Sequence, residues 1–123
     1  MTKYGIILFL FISCTGSNCK DLPNNFESYN QVKETIKETN FEFEDQVNTS
    51  RSSWITSAKY FSCDSKTGFL VIGTESEDYI YGGVSIEIWN EFKNSESLGS
   101  YYNSTIKHRY QLKIKPSGKR KNL

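Results

Sequence analysis

The sequence predicts a small α+β domain, an antiparallel β-meander packed by an N-terminal helix and one or two C-terminal helices. Three observations predict it: a length of 123 residues, short β-branched and aromatic segments separated by turn residues, and helical apolar spacing on both sides of them. The composition is 15% aromatic, which excludes wholesale disorder. The formal net charge of +1 excludes a protein that coats nucleic acid by overall charge alone.

The first residues have the pattern of an export signal. Lys3 precedes an unbroken apolar run, Ile6 to Ile12, which is well short of the roughly 20 apolar residues of a spanning helix. The run ends in Phe11-Ile12-Ser13-Cys14, which resembles the lipobox of bacterial lipoproteins. In that family the cysteine is acylated and becomes the new N-terminus.

We therefore expect a signal peptide over residues 1–13, lipidation of Cys14, and a polar tether over residues 14–25. Two acyl chains hold a small domain on a bilayer almost permanently. The predicted location is thus a membrane-anchored lipoprotein on the periplasmic or cell-surface side. The alternative is an ordinary cleaved signal peptide that leaves Cys14 or Cys19 as a structural thiol.

The segment over residues 26–46 predicts one helix and one strand. Four apolar residues line one side of the helix: Phe26, Tyr29, Val32 and Ile36. Asn24 or Asn25 suits its N-cap and Asn40 its end. Residues 41–44 alternate apolar and charged, which is typical of a half-buried strand.

Three further segments predict the meander. Residues 54–63, 68–74 and 77–84 are rich in β-branched and aromatic side chains, and residues 64–67 between the first two are turn formers. Cys63, in the first of these strands, is interpreted as a buried thiol, although an exported compartment would also permit a disulfide with Cys19.

The stretch over residues 84–89 fits either a strand or a helix. Its alternation favours a strand, whereas Val84, Ile88 and Phe92 follow helical spacing and Ser85 can serve as an N-cap. Residues 100–110 predict a last short helix.

Over residues 47–112 the chain resembles a KTSC domain, a module named for its occurrence at the C-terminus of some lysyl-tRNA synthetases. The resemblance rests on residues in the family's order: Ser52-Ser53-Trp54-Ile55, Tyr79-Ile80-Tyr81, Val84 with Ile88, Trp89 and Phe92, Gly99 to Asn103, and Ile106-Lys107. It implies a helix after Val84, with Ser85 where the family has Pro. The family has no established activity, and RNA binding has been proposed from domain context alone. The predicted organisation is then signal peptide, tether, the 26–46 extension, this domain, and a basic tail over 113–123.

Little in the sequence points to catalysis. A nucleophile needs an adjacent base, and the lone histidine, His108, lies between Lys107 and Arg109, where a solvated surface role fits better. The three cysteines and the histidine are scattered, which is unlike a zinc site. We expect a protein that is not an enzyme and uses no cofactor or metal.

Two hypotheses for binding follow. Tyr79 and Tyr81 share a face of one strand and form either a stacking platform or part of the core. Together with them, four residues of the last segment are candidate ligand contacts: Tyr102, Asn103, Lys107 and Arg109. The fourteen acidic residues all lie between Asp21 and Glu96 against six basic ones, whereas seven basic residues and no acid follow Glu96.

The first hypothesis is a non-enzymatic binding or structural module at the cell envelope with a protein or glycan partner. The second is a nucleic-acid-binding module that uses the two strand tyrosines and the cationic C-terminal residues. The predicted export favours the first.

Overall fold

The computed structural model describes residues 17–23, 25–112 and 114. The described residues divide into two compact units, one up to residue 40 and the other from residue 41 onward. The predicted signal peptide, the predicted lipidation site Cys14, the candidate cap Asn24 and nearly all of the predicted basic tail lie outside the described residues. The α+β class is confirmed, because the described residues combine a four-stranded antiparallel sheet with three helices.

The first unit holds one helix and a short strand pair. Strand β1 (Ser17–Asn18) runs parallel to β2 (Thr39–Asn40), and a 3-10 turn (Cys19–Asp21) follows β1. Helix α1 (Tyr29–Glu38) lies between the two strands in sequence, and its Val32 and Ile36 side chains are buried.

Helix α1 begins three residues later than predicted. The Ser28 hydroxyl accepts a hydrogen bond from the Gln31 backbone N–H at 3.1 Å, so Ser28 is the N-cap in place of Asn24 or Asn25. Phe26 is buried outside the helix, whereas Tyr29, predicted to face inward, is 41% exposed. The apolar spacing predicted too long a helix, because the spacing of apolar residues does not show where the backbone leaves the helical conformation.

The second unit is built on a four-stranded antiparallel meander. Its strands are β3 (Phe43–Gln46), β4 (Ser57–Ser62), β5 (Thr67–Gly73) and β6 (Asp78–Ser85), in that spatial order. The meander is confirmed, but β4 begins at Ser57 rather than Trp54. The Ser52 hydroxyl accepts from the Ile55 backbone N–H at 3.1 Å and folds the preceding residues into a turn.

Three short helical segments follow the sheet. They are α2 (Ile86–Lys93), α3 (Leu98–Tyr101) and a π-helical turn (Tyr102–Ile106). The Ser85 hydroxyl accepts from the Ile88 backbone N–H at 3.2 Å, so the helical interpretation of this stretch is confirmed. The last predicted helix, residues 100–110, is instead the shorter α3 and π-helical turn.

The core of the second unit lies between one sheet face and the helical segments. Its fully buried members are Tyr60, Leu70, Ile72, Val84, Trp89, Phe92, Leu98 and Ile106. The Tyr60 ring stacks on Trp89 with ring centroids 5.3 Å apart and planes 9° from parallel. Burial of the apolar side chains of this core is the main force that favours folding of the unit.

Cys63 is not the buried free thiol that the sequence suggested. It is half-buried just beyond the end of β4 and is disulfide-bonded, as is Cys19 in the first unit. The buried position at this end of the strand belongs to Ser62, whose side chain faces the core. Separately, no helix formed by the described residues has the length and apolar content that crossing a membrane requires.

Candidate functional site

Trp54 lies in a turn that the surrounding backbone fixes. The Ser52 hydroxyl accepts from the backbone N–H groups of Trp54 (3.4 Å) and Ile55 (3.1 Å), and the Ile55 side chain is buried. On the far side, the Thr56 N–H donates to the Gly73 carbonyl at 2.8 Å. The backbone that carries the indole is therefore held at both ends before any ligand arrives.

The Trp54 indole lies on α3 and the π-helical turn but remains open to solvent. Its ring meets that of Tyr102 edge-on, with centroids 5.5 Å apart and planes at 68°. Gly99 lies beside it so closely that a Cβ there would be 2.7 Å from Trp54 Nε1. The side chain is 38% exposed, and Nε1 has no hydrogen-bond acceptor within the described residues. The exposed part of the indole is thus open to solvent, whereas its Nε1 edge lies against Gly99.

Exposed neutral polar side chains adjoin each of these three contacts in sequence. Ser53 precedes Trp54, Ser100 follows Gly99, and Asn103 follows Tyr102. We call Trp54 with Gly99 and Tyr102, the two residues that contact its indole, the Trp54 surface.

The predicted tyrosine platform is largely internal. Tyr81 is buried, and its hydroxyl is hydrogen-bonded to that of Tyr102, which is also buried. Tyr79 is half-buried at the edge of the same cluster. A hydrogen bond to the Glu77 carboxylate and that carboxylate's negative charge raise the pKa of Tyr79. Tyr81 and Tyr102 therefore support the surface from beneath, and Tyr79 borders the cluster.

The other predicted contacts are on the outside. Asn103, Lys107 and Arg109 are all exposed, Asn103 on the π-helical turn and the two cations just after it. Neither cation forms an ion pair within the part of the chain that the structure describes. The structure therefore leaves Asn103, Lys107 and Arg109 exposed to solvent and shows no contact of Asn103 with the indole.

Sequence reasoning missed Trp54 as a contact residue because it assigned Trp54 to a strand, where alternation would bury it. Two signals could have found it: the serines before it, which favour a turn, and Gly99, the only residue type that lets an indole approach so closely.

The polar groups of the core are engaged in holding the fold. Asp45 Oδ2 accepts from Trp89 Nε1 at 2.8 Å and from Lys93 Nζ at 2.6 Å. Partial burial alone would raise the pKa of Asp45, but these bonds and the one from the Gln46 backbone outweigh it and lower that pKa. This cluster joins β3 to α2.

A second internal hydrogen bond joins β4 to β6. The Tyr60 hydroxyl donates to the Val84 carbonyl at 2.6 Å. Burial, and after it the negative charges of Asp64 and Glu87, raise the pKa of Tyr60 to about 12.

Among the described residues, His, Cys, Asp and Glu side chains nowhere gather in a group of three or more that could hold a metal ion.

Comparison with known proteins yields one finding. The model of the KTSC domain family matches residues 51–110, inside the span 47–112 on which the resemblance was seen. No curated protein and no solved structure matches the chain. The match runs from just before the Trp54 turn to just beyond Arg109, so it includes the whole Trp54 surface. Through residues 51–110 this chain belongs to the KTSC domain family.

Proposed function

We propose that this protein is a lipid-anchored, non-enzymatic binding module that presents its KTSC domain at the cell envelope. The lipobox-like Phe11-Ile12-Ser13-Cys14 supplies the anchor. Residues 17–21 of the predicted tether are held in β1 and the 3-10 turn, so the domain follows the anchor closely. Its ligand contacts the Trp54 surface.

The observation that carries the proposed location is the oxidised state of Cys19 and Cys63. Both are disulfide-bonded. Disulfides persist in oxidising compartments such as the periplasm and the cell surface and are rare in the cytosol. A lipobox and a disulfide are independent features, and both favour the far side of the cytoplasmic membrane.

Binding is favoured over catalysis by how the polar side chains are used. The ionisable side chains of Asp45, Tyr60 and Lys93 are engaged in bonds that join β3 to α2 and β4 to β6. Trp54, in contrast, combines a fixed backbone with an open ring. A rigid exposed tryptophan is typical of binding surfaces.

RNA binding is the second candidate, favoured by the exposed, unpaired Lys107 and Arg109 beside Asn103. A filter-binding titration against single-stranded RNA at increasing salt tests it, since phosphate contacts make affinity fall steeply with salt. Affinity that is micromolar or weaker and independent of salt would exclude this candidate.

Metabolic labelling with palmitate in a bacterial host tests the anchor. The wild-type chain should incorporate label, and Cys14→Ala should abolish it. Cys19→Ser is the matched control, because it removes a nearby cysteine and should leave labelling intact. Equal labelling of wild type and Cys14→Ala, or an intact unprocessed chain in the cytosol, would overturn the proposal.

A further inference from the structure

We propose that Lys107 and Arg109 form a second, electrostatic contact with the membrane, on the anionic phospholipid headgroups of the bilayer that holds the lipid anchor. We call residues 107–109 the basic turn. The inference rests on the proposed envelope function, which brings the domain to a bilayer. It goes further by naming a surface of the folded domain and the partner that this surface contacts.

The backbone of the basic turn is fixed on the folded domain. The Arg109 N–H donates at 3.1 Å to the carbonyl of Ile106, whose side chain is fully buried. Directly after the turn, the Tyr110 carbonyl accepts from the Gly82 N–H of β6 at 3.0 Å. The turn is thus joined to the core on one side and to the edge of the sheet on the other. Its two cations are presented from an ordered backbone, which lowers the entropy cost of binding.

The charges of the basic turn are not neutralised within the described part of the chain. Lys107 and Arg109 are both exposed. The cations that form ion pairs among the described residues are Lys37 and Lys93. Both charges of the turn are therefore available to an external anion.

Two other cations of the same unit are engaged by the fold. Arg51 is exposed, but its guanidinium donates to the carbonyls of Lys93 and Ser95, at 3.0 Å each, where α2 ends. Lys93 itself is paired with Asp45. These two side chains stabilise the domain, which distinguishes them from the cations of the basic turn.

The distribution of charge along the chain indicates an anionic partner for its C-terminal part. Residues 21–96 carry fourteen acidic and six basic side chains, whereas residues 97–123 carry seven basic side chains and no acidic one. Five of those seven follow the basic turn in sequence, within residues 113–121. An anionic bilayer attracts this basic part and repels the acidic remainder, which confines the contact to the C-terminal residues.

The lipid anchor favours a bilayer over a nucleic acid as the anionic partner. The acyl chains keep the basic turn at a high effective concentration beside the headgroups, so a modest affinity is enough for docking. An RNA would have to be bound from solution without that assistance.

Energy transfer in reconstituted vesicles tests the contact on the acylated full chain made by a bacterial host. The chain is inserted into vesicles of phosphatidylcholine, with or without phosphatidylglycerol, that carry dansyl-labelled headgroups. The anchor holds the chain on both kinds of vesicle, so a difference between them reports docking of the domain. Transfer from the two tryptophans, Trp54 and Trp89, should be higher on the anionic vesicles and should fall as salt is added.

The double variant Lys107→Gln/Arg109→Gln should weaken the docking equilibrium about thirtyfold, as judged from the transfer efficiency. Lys107→Arg/Arg109→Lys keeps both charges and should dock like wild type. The matched control is Lys59→Gln/Lys66→Gln, which removes two exposed charges elsewhere in the unit and should stay within about threefold of wild type. Circular dichroism checks that each variant is folded.

Equal transfer on neutral and anionic vesicles, or wild-type docking by Lys107→Gln/Arg109→Gln, would overturn the inference. Displacement of the domain from anionic vesicles by single-stranded RNA would assign the basic turn to RNA instead. In these cases retention of the chain on neutral vesicles would leave the envelope function standing. A chain that neutral vesicles do not retain and that palmitate does not label would remove both proposals.

Discussion

The two tryptophans of this domain show how differently one residue type is used within one fold. Trp89 is 0% exposed, stacks on Tyr60, and donates its indole N–H to Asp45 at 2.8 Å. Trp54 is 38% exposed, touches Tyr102 by an edge contact, and has no acceptor for its N–H within the described ranges. Both lie inside the family match.

The difference separates stability from recognition. Burial of Trp89 removes its ring from water and satisfies its only polar group, so its interactions serve folding. Trp54 keeps part of its aromatic ring open to solvent while its backbone is fixed and its Nε1 edge lies against Gly99. A residue in that state contributes less to folding than Trp89 and can contribute to binding, and the following predictions test this contrast.

The largest effect is expected for Trp89→Ala. Loss of the buried ring leaves a cavity beside Tyr60 and removes a donor from Asp45, so the free energy of unfolding should fall by about 3–5 kcal/mol. Trp54→Ala, the matched variant, should lower it by about 1 kcal/mol. Urea unfolding followed by circular dichroism measures both, and equal losses would remove the contrast.

Tyr60→Phe should lower the free energy of unfolding by about 1–2 kcal/mol, because the buried Val84 carbonyl loses its donor. The control is Tyr101→Phe, whose hydroxyl donates to the exposed Glu91 carboxylate at 2.7 Å and whose loss should cost within about 0.5 kcal/mol. Comparable losses in both variants would show that burial of the hydroxyl does not matter.

Asp45 should make the core sensitive to acid. Its pKa in the folded chain is lowered from 3.8, so its contribution to stability is present above pH 3.8 and is lost as the pH falls through the lower folded value. Asp45→Asn should therefore flatten the fall in stability over that acidic range. Glu42→Gln, at an exposed position, should leave the fall in stability at acidic pH unchanged. If Asp45→Asn loses stability with acid as the wild type does, the role given to Asp45 is contradicted.

Gly99→Ala should have the smallest effect on stability and a clear effect on the solvent exposure of the Trp54 indole. The new Cβ would lie 2.7 Å from Nε1, but the half-open indole can move outward, so we expect a loss below about 1 kcal/mol. Acrylamide quenching of tryptophan fluorescence should increase, because the displaced Trp54 indole is more exposed. Trp89 stays shielded in the core, so the change reports Trp54. Ser100→Ala, its neighbour, should leave quenching unchanged; an unchanged Gly99→Ala would show that Gly99 does not position the ring.

Much of the fold could be predicted because its signals are local. Turn formers over residues 64–67 and alternating apolar segments indicated the meander, and Ser85 marked the start of α2. Where prediction failed, a short side chain bound the backbone: Ser28 delayed α1, and Ser52 kept Trp54 out of β4. Apolar spacing does not show such bonds.

The candidate site was predicted only in part, because it depends on contacts between distant residues. Tyr102 was singled out and contacts the indole of Trp54, but Tyr81 turned inward to meet Tyr102. The approach of Trp54 to Gly99 joins residues 45 positions apart, and no local pattern encodes it.

The most direct test of this account follows the two indole N–H signals by nuclear magnetic resonance during hydrogen exchange into D₂O. The two signals are assigned through Trp54→Phe. The Trp54 signal should disappear faster than the Trp89 signal, because the buried Trp89 N–H donates to Asp45. Equal rates for the two indoles, or faster loss of the Trp89 signal, would contradict it.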